Sequence, residues 1–152
     1  MSKKHKTNVM RVLDQHKIDY EPIEWDSETI KKDHAQPDVF KTLVTVGKSG
    51  QNYVFVVPVD HELDLKKAAK AVSEKNIQMI KEKELLPLTG YVHGGCSPIG
   101  MKKLLTTVFD QSALEFETIK FSGGRRGFSV QVAPRAIEQV IPVTFQDLKT
   151  QD

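Results

Sequence analysis

Apolar residues at Val9, Met10, Val12 and Leu13 recur at the spacing of one helix face, which predicts an amphipathic helix over residues 7–16. Residues 20–25, YEPIEW, alternate loosely, and Pro22 restricts such a segment to a sheet edge. Residues 26–37 are polar and read as a short helix or loop. Two β-branched and aromatic runs then flank a glycine-bearing turn at 47–50 in VFKTLVTVGKSGQNYVFVVPV, which predicts a β-hairpin at the heart of the sheet. Asp64 stands where an N-cap belongs, before LKKAAKAV, whose Leu65, Ala68, Ala69 and Val72 make an apolar stripe opposite the lysines. Residues 77–86 have mixed character and suggest a third, short helix ending at Pro87. LLTTVFD, FETIKFSGG and GFSVQVAP read as three strands, the last two joined through SGGRRG, and Pro134 opens a final helix, PRAIEQVI.

Strands cluster in this order without regular β-α alternation, which favours a mixed α+β sheet or barrel over a doubly wound fold. A length of 152 residues suits one domain, expected to cover 1–152, and 39% hydrophobic with 28% charged residues is an ordinary globular composition. The one cysteine cannot form an internal disulfide, and the five histidines lack the spacing of a zinc site, so neither a metal nor another cofactor is expected. The longest apolar run, 53–59, is far too short to span a membrane, and the lysine-bearing start has no apolar signal core, so the expected location is cytoplasmic. A formal charge of +2 does not announce nucleic acid. Any such contact must use local clusters, of which Lys102-Lys103 and Arg125-Arg126 stand out; taken alone, each pair reads first as solvated surface charge.

Candidate chemistry concentrates in TGYVHGGCSPIGMKK, residues 89–103. Glycines 90, 94, 95 and 100 permit positive φ and close backbone approach, while Pro98 fixes one φ. Such a loop either aims backbone N–H groups at an anion or carbonyl oxygen, or is a tight turn between elements. Cys96 could be a nucleophile with His93 as its base, although a lone cysteine is more often a small buried apolar residue. Lys41 is a cation among Val39, Phe40, Leu43 and Val44, so its face of the strand is either partly solvated or lines a wet cavity.

Taken together, VFKTLV, LDLKKAAKAV, TGYVHGGCSPIGMKK, ALEFETIKFSGGRRGFSV and VAPRAI occur in an order and spacing that resemble the YbaK/EbsC family of freestanding aminoacyl-tRNA editing domains, from about Val9 to Leu148. This resemblance implies an α+β fold with a mixed, barrel-like β-sheet flanked by helices, and trans-editing deacylation of cysteine attached to proline tRNA and of cysteinyl-tRNA for cysteine itself. It places Lys41 on the family's strand lysine, near the terminal adenosine. Gly94 and Pro98 fall on its G-x-x-x-P loop, whose amides, those of Gly95 and Ser97 among them, would receive the developing oxyanion. Gly123, Gly124 and Arg126 fall on its second glycine loop as substrate-binding residues. Trp25 matches an aromatic pocket position, and Ser129 a position where some members have aspartate. Lys102, Lys103 and Arg125 would meet tRNA. The implied nucleophile is the substrate's own thiol, which closes a thiolactone and releases tRNA, so Cys96 is not required as an enzyme nucleophile. His93 departs from the usual apolar residue before the glycine pair. The resemblance also suggests a prolyl-tRNA synthetase as the partner that supplies tRNA selection, and the chain is expected to be monomeric. Two other readings stay open: a water-using deacylase for another small aminoacyl-tRNA, and a noncatalytic module that binds tRNA or a synthetase.

Overall fold

The computed structural model describes residues 6–25 and 37–151. Helix α1, Asn8–Gln15, starts at Thr7, whose hydroxyl accepts the Met10 N–H at 3.2 Å, and turns Val9, Met10 and Leu13 into the interior. Strand β1, Glu21–Glu24, takes the edge position expected from Pro22. The segment 26–36, read from sequence as a short helix or loop, lies outside the described residues.

The hairpin forms as β2, Phe40–Gly47, and β3, Asn52–Pro58, paired antiparallel from Phe40↔Pro58 to Val46↔Asn52. Helix α2, Leu65–Ala71, follows its Asp64 cap, which accepts the N–H groups of Lys66 and Lys67. Next come β4, Ile77–Met79, and α3, Glu82–Thr89. Strand β5, Thr106–Asp110, runs into a 3-10 turn at Gln111–Glu115. Strands β6, Ile119–Arg125, and β7, Phe128–Val132, form the second hairpin, followed by a one-turn helix α4, Pro134–Ile137, and β8, Val143–Gln146.

Among the described residues these strands make two sheets rather than a closed barrel, ordered β1-β7-β6 and β4-β2-β3-β5-β8. They touch at a parallel bridge between Val39 and Lys120, where Lys120 also pairs with Asp38 at 2.9 Å. The larger sheet is mixed, because β3-β5 and β5-β8 are parallel. Strand β3 is nearly all buried, and its alternation divides the interior. Val54 and Val56 face the main core with α1, Phe109, Phe121 and Phe128, while Tyr53, Phe55 and Val57 face a smaller core closed by Ala68 and Ala69 of α2.

Several expectations are corrected. Residues 77–79 are a strand because they extend β2 from Thr45↔Met79 to Gly47↔Ile77, a pairing invisible in three residues. Helix α3 continues past Pro87 to Thr89, with Gly90 closing it at φ +86°. The final helix is one turn long, and β8 exists only through its parallel neighbour β5. Among the described residues no helix is long and apolar enough to cross a membrane.

Candidate functional site

Strand β4 covers β2 only from Thr45 to Gly47, and Val39 bridges to Lys120. The Val44 carbonyl on this edge of β2 accepts the Ile80 N–H at 3.3 Å, and from Phe40 to Leu43 the edge has no strand paired with it among the described residues. A cavity of about 520 Å³ opens there, within the range of small-ligand sites. Because the wall is a strand edge, residues from both faces of β2 line it, Lys41 with Leu43 from one side and Thr42 with Val44 from the other. Val59, Met79, Ile80, Glu82, Leu85 and Phe128 supply other parts of the wall.

Lys41 is about a quarter exposed, and its Nζ lies 3.9 Å from Glu62 Oε2, a long contact with a solvent-exposed carboxylate. Such a pairing contributes little and leaves the ammonium available to a ligand. Across the cavity, Trp25 Nε1 donates to Ser129 Oγ at 2.7 Å, and both residues line the site. Thr42 was not singled out from sequence. Its Oγ1 is buried in the cavity wall and has no hydrogen-bond partner among the described residues. Threonine between Phe40 and Val44 on an apolar face was the available signal.

The glycine loop is anchored at several points. Thr89 Oγ1 donates to the Leu85 carbonyl at 2.8 Å and accepts the Tyr91 N–H at 3.1 Å. The Tyr91 hydroxyl donates to the Ile99 carbonyl at 2.6 Å, and Asn8 Nδ2 donates to the Gly100 carbonyl at 2.8 Å. A Cβ on Gly100 would lie 2.7 Å from Asn8 and 2.8 Å from Tyr91, so this end of the loop requires glycine. The other end is held by Arg126 Nε, which donates to the His93 carbonyl at 2.7 Å.

These anchors rearrange the expected roles. Gly94 and Cys96 line the cavity, whereas Gly95 and Ser97 do not. The Gly95 N–H donates to the Val92 carbonyl at 2.9 Å, so it closes the turn and is not open to an oxyanion. The N–H groups of Gly94, Cys96 and Ser97 find no acceptor among the described residues. Ser97 is fully buried, and its hydroxyl accepts the Ile99 N–H at 3.3 Å. Pro98 lines a smaller neighbouring hollow with Val12 and Lys103.

Gly123, Gly124 and Arg126 likewise stay outside the lining, where Ser122, Gly127, Phe128 and Ser129 stand instead. Gly123 makes room for the Phe128 ring, since a Cβ there would lie 2.4 Å from it. Arg125 is not a free surface cation: it donates to Glu24 at 2.7 Å and lies 4.3 Å over the Phe128 ring. Lys102 and Lys103 are exposed beside the loop.

Cys96 is buried, and burial pushes its thiol up to about 11, so it is protonated at neutral pH. Among the described residues, the exposed His93 ring makes no hydrogen bond to it. The arrangement therefore offers a cation, loop amides and bound aromatic and hydroxyl groups, without an activated side-chain nucleophile among the described residues.

Comparison with known proteins identifies the family and the fold. The sequence profile of the aminoacyl-tRNA editing domain matches residues 30–140. A protein of Enterococcus faecalis (strain ATCC 700802 / V583), EbsC, named as a candidate Cys-tRNA(Pro)/Cys-tRNA(Cys) deacylase, is 39% identical over 156 residues, covering 97% of this chain and 95% of its own. In structure, the chain is similar to a candidate trans-editing enzyme for prolyl-tRNA synthetase, with a TM-score of 0.80 at 24% identity, over 95% of this chain and 96% of that one. A scaffold protein used for presenting linear epitopes shares the fold at a TM-score of 0.83 and 23% identity, over 95% and 96% of the two chains. With a profile match over most of its length and a near-full-length relative at this identity, the chain belongs to the aminoacyl-tRNA editing domain family.

Proposed function

We propose that this editing-family protein deacylates cysteinyl-tRNA, Cys-tRNA(Pro) first and Cys-tRNA(Cys) second, using the substrate's own thiol as nucleophile. The single observation that carries the reading is the cavity itself: it brings the Lys41 cation together with Gly94 and Cys96 of the glycine loop, yet its one protein thiol is held neutral by burial.

In the proposed reaction the cysteinyl sulfur, as thiolate, attacks the ester carbon. The C–S bond forms, the carbonyl electron pair moves to oxygen, and the unpaired N–H groups of the glycine loop stabilise that oxyanion. Collapse breaks the bond to the ribose oxygen, which leaves as free tRNA after taking a proton, and a thiolactone departs. Intramolecular attack supplies much of the acceleration through high effective concentration. Lys41 favours the thiolate and engages the terminal nucleotide. A prolyl-tRNA synthetase is the proposed source of tRNA selection, since the chain's near-neutral balance gives it little means to read a tRNA body.

The test is loss of ester from cysteinyl, alanyl and prolyl forms of proline tRNA. Loss confined to the cysteinyl ester is expected, with Lys41→Ala reducing the rate by about 100-fold or more and Cys96→Ala staying within about threefold. Equal cleavage of the alanyl ester would point instead to a water nucleophile, and no cleavage of any ester would sink the enzymatic reading for these substrates.

A further inference from the structure

The second glycine loop, SGGRRG, contributes no cavity lining from Gly123 to Arg126, although Ser122 and Gly127 on either side do line it. Its contacts run instead to the first glycine loop. Arg126 Nε donates to the His93 carbonyl at 2.7 Å. Its side chain also lies over Gly94, where an added Cβ would be 3.3 Å from Nε and 3.4 Å from Cγ. Gly95 packs so closely that a Cβ would sit 3.0 Å from the Arg125 Cα and the Arg126 nitrogen. The segment pressing on the loop is itself held, by Arg125 to Glu24 and by Gly124 at φ +107° against Thr7, Val9 and Tyr91.

The His93 carbonyl and the Gly94 N–H belong to one peptide group. That group is planar and trans, as are all the described peptide bonds, so its C=O and N–H point in opposite directions. Holding the carbonyl therefore sets the direction of the Gly94 N–H, away from Arg126. Gly94 lines the cavity, and its N–H has no acceptor among the described residues. A guanidinium on the carbonyl also draws electron density from the peptide, which makes the N–H a stronger donor.

We infer that Arg126 is a positioning residue for the editing reaction, which orients and polarises the Gly94 N–H through the His93 carbonyl instead of binding substrate itself. The inference rests on the deacylase reading for its kinetic consequence. Its structural half, control of the His93-Gly94 peptide, stands independently. Gly94 takes φ +87° at no steric cost, so its own backbone preference does not fix this peptide, and two contacts hold it: the Gly95 to Val92 turn bond and Arg126 on the His93 carbonyl.

The experiment compares the wild-type protein with Arg126→Gln, Arg126→Lys and Arg126→Ala. Three readouts are taken: steady-state cysteinyl-tRNA deacylation across a salt series, thermal melting, and hydrogen exchange of the peptide spanning residues 91–97. For Arg126→Gln we expect kcat to fall by about 10- to 100-fold, part of what one oxyanion donor supplies. KM should stay within about threefold and the salt slope should not change. Arg126→Lys keeps the charge but not the planar Nε donor and should remain slow. Added ethylguanidinium should partly restore Arg126→Ala, which loss of fold would not permit. Exchange of the 91–97 peptide should quicken in all three variants while the rest of the chain is unchanged.

A rise in KM with a shallower salt slope and unchanged kcat would make Arg126 a phosphate ligand and overturn the inference. So would unchanged exchange in the loop. If the wild-type protein cleaves no ester, the deacylase reading fails, and loop exchange still decides whether Arg126 governs the His93-Gly94 peptide. A variant with lowered melting temperature and exchange raised throughout the chain would also overturn it, by showing a general structural role.

Discussion

Cys96 owes its chemistry to its surroundings. In the unfolded chain its thiol titrates near the ordinary 9.0, and burial moves it to about 11 in the folded one. Tyr91 behaves alike, pushed from 10.0 up to about 12, chiefly by burial, with its hydroxyl bonded to Ile99. Both native groups hold their proton more tightly than the unfolded chain does. Their contribution to stability is therefore whole below about pH 9 and is lost as pH rises through 11 and 12. A melting series from pH 8 to 12 should show this decline. Cys96→Ala should remove the portion that begins near pH 9, about 3 kcal/mol by the size of the shift. A mutant whose alkaline decline matches the wild type would show that the thiol does not ionise on unfolding. At this scale the sequence made Cys96 doubtful as a nucleophile, and burial supplies the physical reason. For Thr42 the sequence offered a threonine on an apolar strand face, but not the orphaned state of its hydroxyl, which is defined by what fails to surround it.

Elements formed where local chemistry was explicit. Thr7 and Asp64 cap their helices, and the glycine-bearing turn joins β2 to β3. Strand β8 was missed because VTFQ acquires its identity from β5, pairing Thr107↔Val143 through Asp110↔Gln146. Beyond that strand, the chain is tied by Asp110, which is fully buried. Its Oδ1 accepts the N–H groups of Leu148 and Lys149 at 2.8 and 3.0 Å, and its Oδ2 that of Ser112 at 3.0 Å. Asp110→Ala would leave three backbone donors without their acceptor. A loss of about 3 kcal/mol is expected, seen as a melting temperature lower by roughly 10 °C. If the melting temperature moves by less than a degree or two, water replaces the carboxylate. The variant should still deacylate at low temperature, since Asp110 lies outside the cavity lining.

At the scale of the molecule, a charge of +2 leaves tRNA affinity to local cations. Lys102 and Lys103 remain exposed, whereas Arg125 is committed to Glu24 and Phe128. Replacing both lysines by glutamine should raise KM for charged tRNA and flatten its logarithmic salt dependence by about 1.5 to 2 units, with kcat nearly constant. An unchanged slope would place the tRNA backbone elsewhere. By itself the sequence determined the α+β class, the central hairpin, the capped helices and the family, because these follow from local periodicity, turn chemistry and ordered motifs. Tertiary structure alone decided that the strands form two sheets, that the uncovered edge of β2 becomes a cavity wall, and that Arg126 meets a loop carbonyl. Each of those joins residues far apart in the chain, and only long-range packing sets the distances between them.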